Sequence, residues 1–387
     1  MSNVKPKAAA TKEAKPDTTI ANPAVVEKYK MAGDISSRVL SAVLAQVAAG
    51  KTTYELSVAG DELMEEELGK VYNSKKTKKT PKGIAFPTCV NPNHIPAHLA
   101  PLNADEPSNI TLADGDVVNV MLGVQIDGNP AVVAGTVVVG ASESSPVTGA
   151  KADLLQSAWT ASEAAIRTLR PGKRNWDVTN IVDKVAKAYG TSPVESMLSH
   201  NQEQNVLYGP KEIILNPTPQ NKKEMSTHRF EENEVYGLDI LISTSDNGKV
   251  KNHPTYRTTL YKLTGGSYAL KMKLSHRTLT EFREKANNQL FPMNIRKLDD
   301  PARARGGLSE SANHQVVLPY DIYTEKEGEY IAQFFTTVAI TKNGLVLLSH
   351  PEFNADLYKS DKKVDDEQVL QTLAEPLKPA KEKDTKA

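Results

Sequence analysis

A repeat with a period of about 122 residues constrains the fold of this chain most. An apolar helix pattern ends at Gly50, and the same pattern ends again at Gly172. The matching pairs after those glycines are Lys51 and Lys173, Tyr54 and Trp176, Leu56 and Val178, and Asp61 and Asp183. Two copies of so long a period do not fit a solenoid. The sequence therefore predicts two pseudo-symmetric halves, each with two helices followed by strands.

Strand patterns follow each predicted helix pair. The predicted strands cover 117–126, 131–139, 235–242, 257–263 and 330–340. The first two alternate apolar and polar residues and flank an Asp-Gly-Asn-Pro turn, which predicts a hairpin. In the second half, 235–242 and 257–263 are assigned to the equivalent positions. Residues 266–318 are basic and favour helix, which predicts an inserted helical subdomain.

Composition sets the ends of the chain apart from this core. Residues 1–22 and 359–387 contain too few large apolar side chains to offset the entropy of ordering them, so both are predicted to be mobile tails. The domain between them covers 23–358, with halves at about 23–150 and 151–358. The single cysteine favours a reducing compartment, and no apolar run is long enough to span a membrane.

Common catalytic motifs are absent from the sequence. No GxSxG elbow, P-loop, dinucleotide fingerprint, HExxH motif or CxxC pair occurs. Cys89 lies in FPTCVNPNHIPAHLAP, close in sequence to two histidines. Because no third group that could orient a Cys–His pair is evident, a cysteine nucleophile is disfavoured.

Several segments together resemble the methionine aminopeptidases, type II in particular. These segments are FPTCVNPNHIPAH, the hairpin at 117–139, MLSH at 197–200, ENEVYGLDI at 232–240 and EYIAQFFTTVAI at 329–340. The resemblance covers about residues 23–358. It implies their pita-bread fold, an α/β (α+β) fold of two pseudo-symmetric αα-β halves, with the type II helical insertion at about 266–318.

Those enzymes hold two divalent metal ions with two aspartates, one histidine and two glutamates, and the metals generate the attacking hydroxide. Carried over by position, the aspartates fall on Met121 and Val132, the histidine on His200, the glutamates on Asp239 and Phe335, and a substrate-facing histidine on His98. Thioether and hydrocarbon groups are poor ligands for Mn²⁺ or Mg²⁺. Three of five ligands are therefore missing, so the resemblance implies neither catalysis nor a metal cofactor.

The polar residues that remain are expected to form a vestigial pocket. His98, His200 and Asp239 are predicted to be satisfied by mutual hydrogen bonds rather than to act in catalysis. An active metallo-aminopeptidase with an altered metal site is the alternative. A scaffold that holds a peptide end in the old pocket is a third hypothesis.

Within the family, the chain is most similar to a non-catalytic branch of proliferation-associated, receptor-binding and curved-DNA-binding proteins. The segments that carry this similarity include KKTPKGIAFPT, VESMLSH, LNPTPQNKK, YTEKEGEY and FNADLYKS. Members of that branch bind DNA and structured, ribosome-associated RNA, and they shuttle between nucleus and cytoplasm. The resemblance therefore implies a nucleic-acid partner, both compartments and no membrane; protein partners are left open.

Two basic segments are the predicted nucleic-acid contacts, although the chain balances 47 Lys and Arg against 47 Asp and Glu. The first, expected to be a flexible loop, contains Lys70, Lys75, Lys76, Lys78, Lys79 and Lys82. The second, in the insertion, contains Lys271, Lys273, Arg277, Arg296, Lys297, Arg303 and Arg305. Because no recognition helix or RRM-type aromatic motif is visible, we expect recognition of backbone and shape. A solvated loop without a partner is the alternative explanation of such a lysine run.

Overall fold

The structure is a computed structural model that describes residues 17–379, and each half contains the predicted helix pair. The first half has α1 (Pro23–Leu44), α2 (Thr53–Lys70), β1 (Lys82–Pro92), β2 (Val117–Ile126), β3 (Asn129–Val138) and β4 (Val147–Thr148). The second half starts with α3 (Ala150–Thr168), α4 (Asn175–Tyr189), β5 (Ser192–Pro193), β6 (Leu198–Gln202), β7 (Glu212–Ile214), α5 (Pro219–Glu224), β8 (Val235–Ser243) and β9 (Lys251–Asn252).

An insertion and a closing segment complete the chain. The insertion has β10 (Leu260–Leu263), α6 (Lys273–Lys285), β11 (Met293–Asn294), α7 (Pro301–Asn313) and β12 (Val317–Pro319). The closing segment has β13 (Tyr323–Thr324), β14 (Ile331–Thr341), β15 (Gly344–Ser349), β16 (Tyr358–Lys359) and α8 (Glu367–Ala374). None of the helices in residues 17–379 is both long and apolar enough to cross a membrane.

Side-chain caps fix where the first two helices begin. Asn22 accepts a hydrogen bond from the backbone N–H of Ala24, and Pro23 occupies the first turn of α1. At α2, Thr52 Oγ1 accepts from the N–H of Glu55, and the Glu55 carboxylate accepts from the N–H of Thr52. These groups satisfy donors that a helix start leaves unpaired.

One nine-stranded sheet joins the two halves. Its order is β1-β2-β3-β14-β8-β6-β7, with β15 also paired to β14 and β5 to β8. The predicted hairpin is confirmed as β2 and β3. Strand β3 starts at Asn129 rather than at residue 131. Helix α1 packs on β2 and β3, and α3 packs on β8 and β14. The helices therefore cover one face of the sheet and leave the other face for the site.

The sequence repeat recurs as repeated local geometry. Gly50 has φ +86° and Gly172 has φ +87°, a region that favours glycine. The N–H of Gly50 donates to Leu112 O at 2.8 Å, and the N–H of Gly172 donates to Phe230 O at 3.0 Å. Each glycine therefore turns the chain between the two helices of its half in the same way.

The two halves meet along a seam that depends on buried side chains. The register of β3 and β14 contains one pair, Ala134 opposite Phe335. Thr136 Oγ1 donates to Gln333 O at 2.8 Å, and Thr337 Oγ1 donates to Val132 O at 2.8 Å. These hydroxyls satisfy backbone groups that the short ladder leaves unpaired.

The insertion begins earlier than predicted. The predicted strand at 257–263 was assigned to the main sheet, and that assignment is wrong. The observed strand β10 instead pairs with β11 and β12 in a separate three-stranded sheet, so the insertion covers about 260–319 rather than 266–318. Tyr261 and Leu263 are buried in the apolar core that α6 and α7 form. A short apolar strand does not reveal which sheet it joins.

The predicted tails are partly ordered. The prediction that 359–387 is mobile is wrong for 359–379, because α8 buries Val369 and Lys184 Nζ lies 2.8 Å from Asp366 Oδ2. At the other end, Ile20 is buried against the start of α1. A few well-placed contacts thus order segments whose average composition is polar. Residues 1–16 and 380–387 lie outside the described residues.

Alanine at the two turn glycines tests the repeat. Gly50→Ala and Gly172→Ala should each lower the free energy of unfolding by about 1 kcal/mol, because φ near +86° strains an L-residue. The control is Gly69→Ala, within α2 and with open space around its Cβ, which should raise it by about 0.5–1 kcal/mol. Urea unfolding followed by circular dichroism measures all three. Unchanged stability with Ala at both turn glycines would contradict the structural equivalence of the two turns.

Candidate functional site

The predicted ligand positions lie on the sheet face that the helices leave uncovered. In the register, Met121 lies opposite Ala134, Phe335 opposite Asp239, and His200 opposite Gly237. A cavity of about 400 Å³ opens on that face. Its lining includes Met121, His200, Asp239, Phe335 and His98. Val132 does not line the cavity and is fully buried in the apolar cluster that contains Met121 and Phe335.

Asp239 is the buried carboxylate of the cavity lining, which also includes the partly exposed Glu195. Asp239 is 8% exposed, and its Oδ1 accepts a hydrogen bond from Gln333 Nε2 at 2.8 Å. It forms no ion pair with any residue in 17–379. Burial raises the pKa of Asp239 to about 7, and the Gln333 hydrogen bond offsets only part of that effect. The side chain is therefore partly protonated at neutral pH.

The two histidines are held in place and kept neutral. His98 has φ +70°, its Nδ1 lies 2.8 Å from Asp321 O, and its ring packs edge-on against Tyr320. His200 Nδ1 lies 3.2 Å from Gly209 O. Burial lowers the pKa of both histidines. Their backbone partners thus fix Nδ1 of each ring as the donor. The predicted mutual hydrogen bonds among His98, His200 and Asp239 are wrong, because each side chain has a different partner.

These side chains do not fit a pair of divalent metal ions. Phe335 fills the space beside Gly237, where its ring would lie 2.6 Å from an added Cβ, and Met121 Sδ lies 3.7 Å from Gln333 Nε2. Of the five ligand positions, His200 and Asp239 keep ligating atoms. No group of three or more His, Cys, Asp or Glu within the described ranges could hold a metal ion. Two hard dications need several anionic oxygens, which this donor set does not supply.

The cavity does offer hydrogen-bond acceptors. Gln202 Oε1 and Gln333 Oε1 are buried and have no hydrogen-bond partner in the described part of the chain. Much of the remaining wall is apolar and includes Met197, Leu198 and Leu207. The arrangement can therefore receive a small group that carries N–H or O–H donors. The prediction did not include Gln333, although it lies two residues before Phe335 on β14 and so shares its face.

Cys89 is not an available nucleophile. It is fully buried in β1, and its Sγ donates to Pro87 O at 3.6 Å. Burial raises the pKa of the thiol far above its usual range. The thiol therefore stays protonated at neutral pH, as the sequence argument against a Cys–His pair predicts.

The first basic segment is a loop with exposed lysines between α2 and β1. Lys75, Lys76, Lys78 and Lys79 are exposed, and none forms an ion pair with any residue in 17–379. The flanking residues differ: Lys70 pairs with Glu66 and Glu67 at the end of α2, and Lys82 donates to Val71 O and Asn73 Oδ1. The loop cations are therefore available to a partner, and the flanking cations hold the loop ends.

Two predicted contacts in the insertion are buried anchors instead. Arg296 Nη2 lies 2.7 Å from Asp61 Oδ2, and both side chains are 13% exposed. Arg305 donates through both Nη atoms to the carboxylate of Asp105. Each arginine neutralises a buried carboxylate of the first half. We therefore exclude Arg296 and Arg305 from the contact surface that the sequence predicts.

The remaining cations of the insertion extend toward the loop between α2 and β1 that carries Lys75, Lys76, Lys78 and Lys79. We name this loop the lysine loop. Lys273, Arg277 and Lys285 lie on one face of α6 at spacings of four and eight residues, and Glu281 lies between the last two. Lys285 then lines a groove of about 260 Å³ together with Lys82 and Lys297, between the insertion and the first half.

The lysine loop enters β1 at this same groove, at Lys82. We name the combined surface the basic strip. Its members are Lys75, Lys76, Lys78, Lys79, Lys271, Lys273, Arg277, Lys285, Lys297 and Arg303.

Not every cation of the strip is free. Lys297 Nζ lies 2.7 Å from Glu65 Oε1, and Lys285 Nζ lies 3.5 Å from Asp299 Oδ1. Both pairs are exposed at the surface, so they hold their partners weakly. Arg303 lines a groove between α6 and α7 together with Lys273 and Arg277, and the acids Glu281, Asp299 and Asp300 line it too. The strip therefore joins two segments that lie about 200 residues apart in sequence.

The chain is similar to known proteins over nearly its whole length. Residues 27–251 match metallopeptidase family M24. The curved DNA-binding protein of Schizosaccharomyces pombe is 44% identical over 374 residues, which cover 97% of this chain and 96% of that protein. The structure of a thermophilic Arx1 has a TM-score of 0.84 and 31% identity, covering 93% of this chain and 100% of that chain.

A more distant solved structure confirms the predicted fold. Methionine aminopeptidase from Thermotoga maritima has a TM-score of 0.55 and 18% identity, covering 85% of this chain and 98% of that chain. The predicted pita-bread fold is therefore confirmed, and the match to family M24 and the 44% identical relative confirm the predicted resemblance.

The variant Asp239→Asn tests the buried carboxyl. Since the folded-state pKa lies above the usual 3.8, the folded protein loses stability as pH rises from about 4 to 7. The amide cannot ionise and can still accept from Gln333. It should therefore match the wild type near pH 4 and exceed it by about 2–4 kcal/mol at pH 8.

Thermal or urea unfolding across pH 4–8 measures this difference. The control is Asp183→Asn, which removes an exposed carboxylate from α4 and should shift stability by about 0.5 kcal/mol or less at any pH. A stability difference between wild type and Asp239→Asn that does not change with pH would contradict a raised pKa at Asp239.

Proposed function

Because the chain belongs to metallopeptidase family M24, we propose that it is a catalytically inactive member that binds nucleic acid through the basic strip. The observation that carries this proposal is the strip itself, in which the fold joins two distant basic segments at one groove. Cations that lack partners within residues 17–379 can replace the counterions of a phosphate backbone. The chain's net charge of zero does not oppose such local binding.

The kind of nucleic acid follows from the contacts that the strip can make. Lysine and arginine side chains on a loop and a helix face reach phosphates, which position a duplex without reading its sequence. We therefore expect curved or structured DNA, and structured RNA such as that of ribosomes, to bind by backbone and shape. The name of the 44% identical relative, curved DNA-binding protein, supports this expectation.

Catalytic inactivity is proposed from the donor set of the cavity. Thioether, isopropyl and phenyl groups occupy three of five ligand positions, and the buried carboxyl that remains is partly protonated. The alternative, an active metallo-aminopeptidase with an altered metal site, would need new ligands. No such cluster of His, Cys, Asp or Glu lies within the described residues. We further propose that the protein works in the nucleus and the cytoplasm.

Charge reversal in the lysine loop tests nucleic-acid binding. Lys75→Glu with Lys76→Glu should weaken binding roughly tenfold near 0.1 M salt and lower the slope of log affinity against log salt by about 2. The loss should be the same for unrelated sequences. Fluorescence anisotropy with a curved DNA duplex and a structured RNA measures both quantities.

The matched control places the same two substitutions at the other end of the sheet. Lys222 and Lys223 lie on α5, beside β6 and β7, whereas the lysine loop joins β1 at the opposite end of the strand order. Lys222→Glu with Lys223→Glu should leave affinity within about twofold. Equal losses of affinity from both pairs of substitutions, or binding that does not depend on salt, would refute binding through the basic strip.

Metal content and peptidase activity test the inactive cavity. Purified protein should contain the same trace of Mn²⁺, Co²⁺ or Zn²⁺ as its His200→Ala variant, because two side chains cannot hold two dications. It should release no methionine from a short peptide with added Co²⁺ or Mn²⁺. Elemental analysis and a methionine-release assay give the result. Stoichiometric metal that His200→Ala loses, together with turnover, would establish the metallopeptidase alternative.

A further inference from the structure

An exposed pair of stacked rings lies in the insertion. Tyr268 belongs to the connection 264–272, between β10 and α6, and its ring stacks on that of His314 after α7. The centroids are 3.5 Å apart and the planes differ by 11°. Tyr268 is 40% exposed and His314 is exposed as well. The histidine covers one side of the tyrosine ring, so the exposed area leaves aromatic surface open to water.

The connection that carries Tyr268 is fixed at both ends. Thr264 Oγ1 donates to Gln315 O at 2.6 Å. After the tyrosine, the backbone N–H groups of Lys271 and Met272 donate to the Glu310 carboxylate at 2.6 and 3.2 Å. Both anchors lie at the end of α7, near His314. The ring is therefore held ready for a partner, which reduces the entropy lost on binding.

Three cations follow the tyrosine along the chain. Lys271 and Lys273 follow Tyr268 within five residues, and Arg277 lies one turn further along α6. All three are exposed, and none forms an ion pair with another residue in 17–379. An open aromatic face beside free cations is the arrangement with which proteins stack a base and hold its phosphates.

Most of the exposed large apolar side chains lie in the insertion. Of the seven large hydrophobic side chains exposed in the described part of the chain, four lie in 260–319: Tyr268, Met272, Leu290 and Leu318. Tyr268 is the aromatic ring among these four, so it is the side chain of this set that can stack on a base. A partner that bound through apolar contact alone would use all four residues, whereas a stacked base uses the tyrosine ring.

We propose that Tyr268, backed by His314, stacks on an unpaired base of the bound nucleic acid. The insertion would then prefer RNA in which a loop adjoins a duplex, the duplex lying along the basic strip and a loop base lying on the tyrosine. This inference rests on the proposed function and adds to it a feature of the ligand, an unpaired base. It also modifies the sequence-based expectation that recognition involves backbone and shape alone.

Two RNA probes test the stacking. One is a stem-loop with 2-aminopurine in the loop, and the other is a fully paired duplex with the same number of phosphates. Tyr268→Ala should weaken stem-loop binding roughly tenfold and leave duplex binding within about twofold, because stacking contributes only with an unpaired base. The wild type should quench 2-aminopurine on binding, and Tyr268→Ala should not. Tyr268→Trp should restore both affinity and quenching.

A control variant and three outcomes make the test decisive. Leu318→Ala removes another exposed apolar side chain of the insertion and should change neither affinity. Equal stem-loop affinity and quenching for wild type and Tyr268→Ala would overturn the stacking. So would an equal loss on both probes that Trp does not restore. If the lysine-loop reversal still weakens both probes in either case, the proposed function stands; if wild type binds neither probe, both proposals fail.

Discussion

Two buried ion pairs decide where the insertion lies, and the rest of the proposed binding surface depends on them. Arg296 with Asp61 and Arg305 with Asp105 join the insertion to the first half, with side chains no more than 15% exposed. Such pairs add little net stability, but losing one partner leaves a buried charge that costs about 3–5 kcal/mol. Their effect is positional: they hold α6 beside β1, so that Lys285 and Lys82 line the same groove.

Apolar groups occupy three of the five positions that the resemblance assigns to metal ligands. Carboxylates at 121, 132 and 335 would lie buried beside Asp239 without a cation to neutralise them. Met121, Val132 and Phe335 instead pack together next to the seam between the halves. Burial disfavours the ionised form of the acid that remains, and this raises the pKa of Asp239. That part of the sheet face is thus apolar, and the cations of the basic strip lie toward the edge strand β1.

Features set by local patterns could be predicted from sequence. The hairpin, the helix pairs and the shared face of Met121, His200 and Asp239 follow from short-range periodicity and from the resemblance. Partners distant in sequence could not be predicted: Arg296 pairs with a residue 235 positions away, so its charge looked free. The Tyr268–His314 stack and the sheet that β10 joins depend on tertiary packing in the same way. The polar segment after residue 359 is ordered by few contacts, which average composition hides.

Crosslinking in the complex tests the central claim most directly. Purified protein bound to a structured RNA or a curved duplex would be irradiated and digested, and the crosslinked peptides would be identified by mass spectrometry. The basic strip predicts crosslinks within 71–82 and 264–303, and none on α5 at the far end of the sheet. Crosslinks that concentrate on α5 or on residues lining the cavity, with the strip unmodified, would contradict it.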